Sequence, residues 1–171
     1  MKFLHPDIYV KNIRAVPYDR LLKRGINTLV FDIDNTLVPF DRPEADSELV
    51  SFIEGLKNKG FTIALLSNND QARVELFNQK LDVIAVYSAK KPNTKGINEV
   101  LQLAGVYPEQ AAIIGDQIFT DIWCGNRKGM TTILTRPVET RDNLSVYCKR
   151  GIERLIVKGF VKKVKKHHEA L

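Results

Sequence analysis

The chain has 171 residues, 44% of them hydrophobic and 27% charged, a globular composition whose length suits one domain around one core. Its apolar runs, such as Phe61 to Leu66 and Val83 to Ala89, fall far short of the roughly 18 residues that cross a bilayer, so no membrane-spanning segment is expected. The net charge of +6 is uneven: residues 1–135 carry 16 basic and 16 acidic side chains, residues 136–171 carry 10 and 4, and the tail is therefore either a surface for an anionic partner or a solvated basic helix.

At the start, Pro6 and Asp7 interrupt the apolar stretch that a secretory leader needs, and the expectation is a cytosolic protein. Phe3, Leu4, Ile8 and Tyr9 could face a membrane or pack on the core. The first predicted strand is Thr28 to Phe31, followed at once by Asp32 and Asp34. Leu49, Phe52, Ile53 and Leu56 recur at helical spacing, with Gly60 after them. A second strand, Thr62 to Leu66, runs into Ser67 and Asn68; a third, Val83 to Tyr87, precedes Lys90 and Lys91. Pro92 and Thr94 open a helix through Ile97, Val100, Leu101 and Ala104, closed by Gly105. The fourth strand, Ala111 to Ile114, leads to Gly115 and Asp116, and the fifth is Thr131 to Leu134. Strands apolar on both faces, alternating with helices, predict an α/β fold: a Rossmann-like, parallel five-stranded sheet flanked by helices. The whole chain, 1–171, reads as one domain, with 136–171 as a basic helical C-terminal extension. Cys124 and Cys148 sit in no metal-type cluster and suit a reduced compartment.

An open α/β sheet binds its ligand beyond the carboxyl ends of its strands, where these polar groups gather. Asp32 to Thr36 read DxDxT, two carboxylates one residue apart. A cation beside them could keep Asp32 ionised and nucleophilic while Asp34 stays a proton donor; the plainer alternative is an Asp/Asn-rich turn that ends a strand. Asp116 and Asp121 supply more oxygen ligands of the kind Mg²⁺ takes, and Mn²⁺ accepts the same set. Asp121 could instead cap a helix, as could Thr120. A transferred phosphoryl group needs a further cation and hydrogen-bond donors, roles open to Lys91, with Lys90 second, and to Ser67 with the Asn68 amide. Arg42, Asn69, Arg73 and Gln117 fall near the expected opening, unranked.

The ordered set DxDxT, Ser-Asn, Lys-Pro and GDx4D, spread over residues 28–135, resembles the four motifs of the haloacid dehalogenase (HAD) superfamily. The resemblance implies Asp32 as nucleophile and metal ligand, with Asp34 as acid and base and as a ligand through its backbone carbonyl. It assigns Ser67 and Lys91 to the second and third motifs, and Asp116 and Asp121 to the fourth, around Mg²⁺. Thirty residues between Thr36 and Ser67 and twenty-three between Ser67 and Lys91 leave no room for a cap domain, so the site should be open to a phosphate carried on something large.

Phe3-Leu4-His5-Pro6-Asp7, the block FDIDNTLVP from Phe31 to Pro39, Leu66 to Asn69, and Gly115 to Gln117 with Thr120 and Asp121 are similar to YqeG-type HAD-IIIA phosphatases. That resemblance implies dephosphorylation of phosphatidylglycerophosphate to phosphatidylglycerol, an anionic phospholipid head group as partner and a place in phospholipid biosynthesis. The tail offers a separate indication. Ile152, Leu155, Ile156, Phe160 and Val164 recur at helical spacing among Lys158, Lys162, Lys163, Lys165 and Lys166, a pattern that can lie on an anionic bilayer on the inner face of the membrane or pack its apolar side on the sheet. Two other readings stand beside this one: a phosphatase of a soluble nucleotide, sugar phosphate or phosphoprotein, and an RNA- or ribosome-binding module on the same scaffold. The oligomeric state is left open.

Overall fold

In a computed structural model of the chain, residues 2–138 are described, together with Ile156 and Gly159. Six strands build one sheet: β1 (Ile8–Val10), β2 (Thr28–Phe31), β3 (Thr62–Leu66), β4 (Ile84–Val86), β5 (Ala111–Gly115) and β6 (Thr131–Thr135). Every pairing is parallel, in the order β1-β6-β5-β2-β3-β4. The expected five strands are therefore six. The added β1 is three residues long, too short to show a period, and it pairs at the sheet edge with β6, Ile8 opposite Ile133.

The near-continuous apolar runs follow from burial on both faces. Leu29, Phe31, Ile63, Leu65, Ala112 and Ile114 point into one core layer; their strand neighbours Val30, Ala64, Leu66, Ala111 and Ile113 point into the other. The first layer also holds Leu49, Ile53 and Leu56 of α2 (Ser47–Asn58) and Val74 and Phe77 of α3 (Gln71–Asn78), while α1 (Tyr18–Lys23) contributes Tyr18 and Leu21. The second layer takes Ile97, Val100 and Leu101 of α4 (Lys95–Ala104) and Cys124 of α5 (Trp123–Lys128). Removing a Leu or Ile side chain from such a layer costs about 2–5 kcal/mol, because the cavity collapses only in part.

Local signals set the helix ends. Asp46 accepts a hydrogen bond from the Leu49 amide and Asp70 from the Arg73 amide, each at 2.9 Å, fixing the first turns of α2 and α3. Gly105 closes α4 at φ 66°, a left-handed geometry that a side chain would strain.

No domain is inserted between Thr36 and Lys91: that stretch holds a loop, α2, β3, α3 and β4. Leu4, Ile8 and Tyr9 pack on the core, as one of the two expected roles had it, and Phe3 is exposed. The expected basic helix of 136–171 lies, apart from 136–138, Ile156 and Gly159, outside the described residues; Ile156 packs beside Ile118, Ile122 and Leu134. Among the described residues no helix is long and apolar enough to cross a membrane.

Candidate active site

β2 and β5 are neighbours at the point where the chain changes direction across the sheet, and their carboxyl ends open a crevice. Asp32 follows β2 directly, and its amide still donates to the Ile114 carbonyl at 3.0 Å, so its position is set by the ladder. The chain then turns back on itself: Asn35 takes φ 60°, its amide donates to Val38 O at 2.7 Å, and the Leu37 amide donates to Ile33 O at 2.9 Å. This tight turn sends Asp32 inward and leaves Asp34 at the rim.

Asp32, Asp34, Ser67, Asn68 and Lys91 line one cavity of about 80 Å³, together with Asn69, Gln117 and Thr120. Four segments of sequence meet there. Lys91 Nζ donates to Asp32 Oδ1 and to Asp121 Oδ1, both at 2.6 Å, with the lysine side chain 2% exposed. Lys90 is exposed, with φ 52°, and does not line the cavity, which decides between the two lysines.

Asp116 lies beside this pair. One carboxylate oxygen from each of Asp32, Asp116 and Asp121 falls within 4.8 Å of the others, all three residues are buried, and Thr36 Oγ1 sits 3.4 Å from both Asp32 Oδ2 and Asp116 Oδ1. The Asp34 carboxylate is not in this group. Asp121 caps no helix: it sits within a π-helical turn, Ile118–Ile122, and its Oδ2 accepts from the Gln117 amide at 3.2 Å, while α5 begins after Ile122. Gly115 makes room for it, since a Cβ there would meet Asp121 Cγ at 2.3 Å.

Burial pushes the Asp32 carboxyl up to about 7, against the pull of the Lys91 ammonium, with the Asp121 and Asp34 charges adding to the rise. For Lys91, burial works against the ammonium, but Asp121 and Asp32 outweigh it and hold its pKa above the ordinary lysine value. Three buried carboxylates, two of them bonded to the buried Lys91 ammonium, bring together oxygen ligands that could hold a hard divalent cation. Burial likewise lifts the Cys124 thiol to about 11, so it is a poor nucleophile at neutral pH.

Sequence reasoning did not foresee three arrangements. The Asn68 side chain clamps the Lys91 backbone: its Oδ1 accepts from the Lys91 amide at 2.7 Å and its Nδ2 reaches Lys91 O at 3.5 Å. Ser67 Oγ accepts from the Asn69 amide at 3.1 Å, which turns the loop toward the cavity. Asp34 is held at the rim by Asn69 Nδ2 and by Arg73 Nη2, the latter at 3.0 Å. Of the four residues expected near the opening, Asn69 and Arg73 bond the Asp34 carboxylate, whereas the Arg42 guanidinium turns to Asp46.

A family model described as mitochondrial PGP phosphatase matches residues 1–139. The chain belongs to that family. A Bacillus subtilis (strain 168) protein named "Probable phosphatase YqeG" is 37% identical over 162 residues, covering 95% of this chain and 94% of the relative. The Arabidopsis thaliana "Phosphatidylglycerophosphate phosphatase 1, chloroplastic/mitochondrial" is 27% identical over 95% of this chain, which spans 49% of that relative's length. A haloacid dehalogenase-like hydrolase from Streptococcus pneumoniae superposes with a TM-score of 0.50 at 14% identity, over 64% of this chain and 84% of its own, a likeness of fold. The PGP phosphatase family member described here is thus a phosphatase on a HAD scaffold.

Proposed function

We propose that this phosphatase hydrolyses phosphatidylglycerophosphate to phosphatidylglycerol through an aspartyl-phosphate on Asp32, with Mg²⁺ beside it and the protein peripheral on the inner face of the membrane. The observation that carries the reading is the 2.6 Å contact of Lys91 with Asp32, set in a cavity of about 80 Å³ among three buried carboxylates. Asp32 and Asp116, with the backbone carbonyl of Asp34, would hold the cation, and Asp121 orients Lys91 and the ligand set. Mg²⁺ held by these residues would offset charge on the phosphoryl oxygens and favour the ionised form of Asp32.

In the first step an Asp32 oxygen attacks phosphorus, the ester O–P bond breaks, and the departing alkoxide takes a proton from Asp34. Lys91, the Ser67 hydroxyl and the Asn68 amide offset the charge on the transferring group. In the second step Asp34 takes a proton from water, whose oxygen attacks the phosphorus. The acyl phosphate bond breaks, inorganic phosphate leaves and Asp32 is regenerated. The lipid assignment is supported by the family match and by the name of the Arabidopsis relative. An uncapped cavity suits a head group presented at a surface.

The test is phosphate release from phosphatidylglycerophosphate in vesicles with Mg²⁺, beside a panel of soluble alkyl and aryl phosphomonoesters. A much higher rate on a soluble ester overturns the lipid assignment, and turnover retained by Asp32→Asn overturns the covalent mechanism.

A further inference from the structure

Arg73 belongs to none of the four motifs, yet it is the most highly connected cation at the rim. From the first turn of α3 its Nη2 donates to Asp34 Oδ1 at 3.0 Å and to Arg42 O at 2.6 Å, and its Nη1 donates to Pro43 O at 2.9 Å. The guanidinium carbon lies 5.4 Å from the ring centroid of Phe77, which is fully buried. Asp70 fixes the helix end that carries it. Two backbone carbonyls and an aromatic face thus set the guanidinium plane before Asp34 is considered. Asn69 holds the other Asp34 oxygen.

We infer that Arg73 is a positioning residue: it aims the Asp34 carboxyl at the leaving-group oxygen by tying it to the 42–43 backbone. This rests on the role of Asp34 given above. A lysine offers a point charge and cannot reproduce a planar fork shared among three acceptors, so geometry rather than charge is what Arg73 supplies. The pair lies at the rim, with 18% of the Arg73 side chain and 27% of the Asp34 side chain exposed, which leaves the Asp34 carboxyl able to reach a substrate oxygen.

The experiment compares kcat/KM on the fastest alkyl ester of the panel with that on p-nitrophenyl phosphate, whose phenolate departs without a proton. Arg73→Ala and Arg73→Lys should each lose about 10- to 100-fold on the alkyl ester, part of what a placed general acid supplies, and under about threefold on the aryl ester. Asp34→Asn should show the same selectivity, and adding Arg73→Ala to it should cost nothing further, since the arginine acts through that carboxyl. Equal losses on both esters for the arginine variants, or full additivity with Asp34→Asn, overturn the positioning role. Loss without selectivity in Asp34→Asn overturns the reading of Asp34 instead. Because Arg73→Lys keeps the charge and the alkyl stem, it decides the matter should the alanine variant fail to fold.

Discussion

The two aspartates of the DxD turn stand one residue apart in sequence and in opposite physical settings. Asp32 belongs to the floor, where its side chain is 11% exposed against a Lys91 side chain of 2%; Asp34 belongs to the rim, at 27% against an Arg73 side chain of 18%. On the floor, burial weakens screening, so charges must balance locally and each group is held in place. At the rim, water reaches the ion pair and screens it in part, and the Asp34 carboxyl stays accessible while Arg73 holds it. A nucleophile and a metal ligand suit the first setting. An acid that must touch a variable leaving group suits the second.

The sharpest way to break this contrast is Asp32→Asn, which should reduce phosphate release to background while the protein stays folded. Lys91→Met comes next. It should lower turnover by about 100-fold or more, as loss of a buried charge-stabilising group does. It should also destabilise the metal-free protein by about 3 kcal/mol in urea, because it leaves buried carboxylates without their cation. Gly115→Ala should mimic part of this, since its Cβ displaces Asp121.

A pH series sharpens the floor further. Asp32 has a folded pKa raised to about 7, above its ordinary 3.8, so its contribution to stability is complete below 3.8 and is lost as pH rises through about 7. Mg²⁺ favours the ionised form, so the gain in Tm on adding Mg²⁺ should be larger at pH 8 than at pH 5.5, and Asp32→Asn should flatten that difference. The smaller expected effect is on the rim: Arg73→Ala should cost about 1–2 kcal/mol of unfolding free energy, less than Lys91→Met, because its ion pair is partly screened and the carbonyls it leaves can turn to water. An equal loss of stability for Lys91→Met and Arg73→Ala would remove the distinction between floor and rim.

Most of the scaffold was legible because strand and helix periods are local. β2 and β3 match their expected bounds, since burial of Thr28 to Phe31 and of Ile63 to Leu66 leaves nearly continuous apolar runs in the sequence. β1 was not, because Ile8 to Val10 become a strand only by pairing with β6, where Asp7 bonds Thr132 across 125 residues. α1 was missed for a related reason: six residues make fewer than two turns, too few to display a period.

By itself the sequence determined which residue types stand at the strand ends, and so the carboxylates, lysine and hydroxyl that a phosphatase site can draw on. Tertiary structure decided the partners: Lys91 rather than Lys90 on Asp32, Asn68 clamping the Lys91 backbone, and Arg73 on Asp34 while Arg42 lends only its carbonyl. The reason is range. Backbone preference and burial pattern act between near neighbours and are written along the chain, whereas a hydrogen bond between residues 39 or 59 positions apart exists only after the sheet has packed and chosen which side chains face each other.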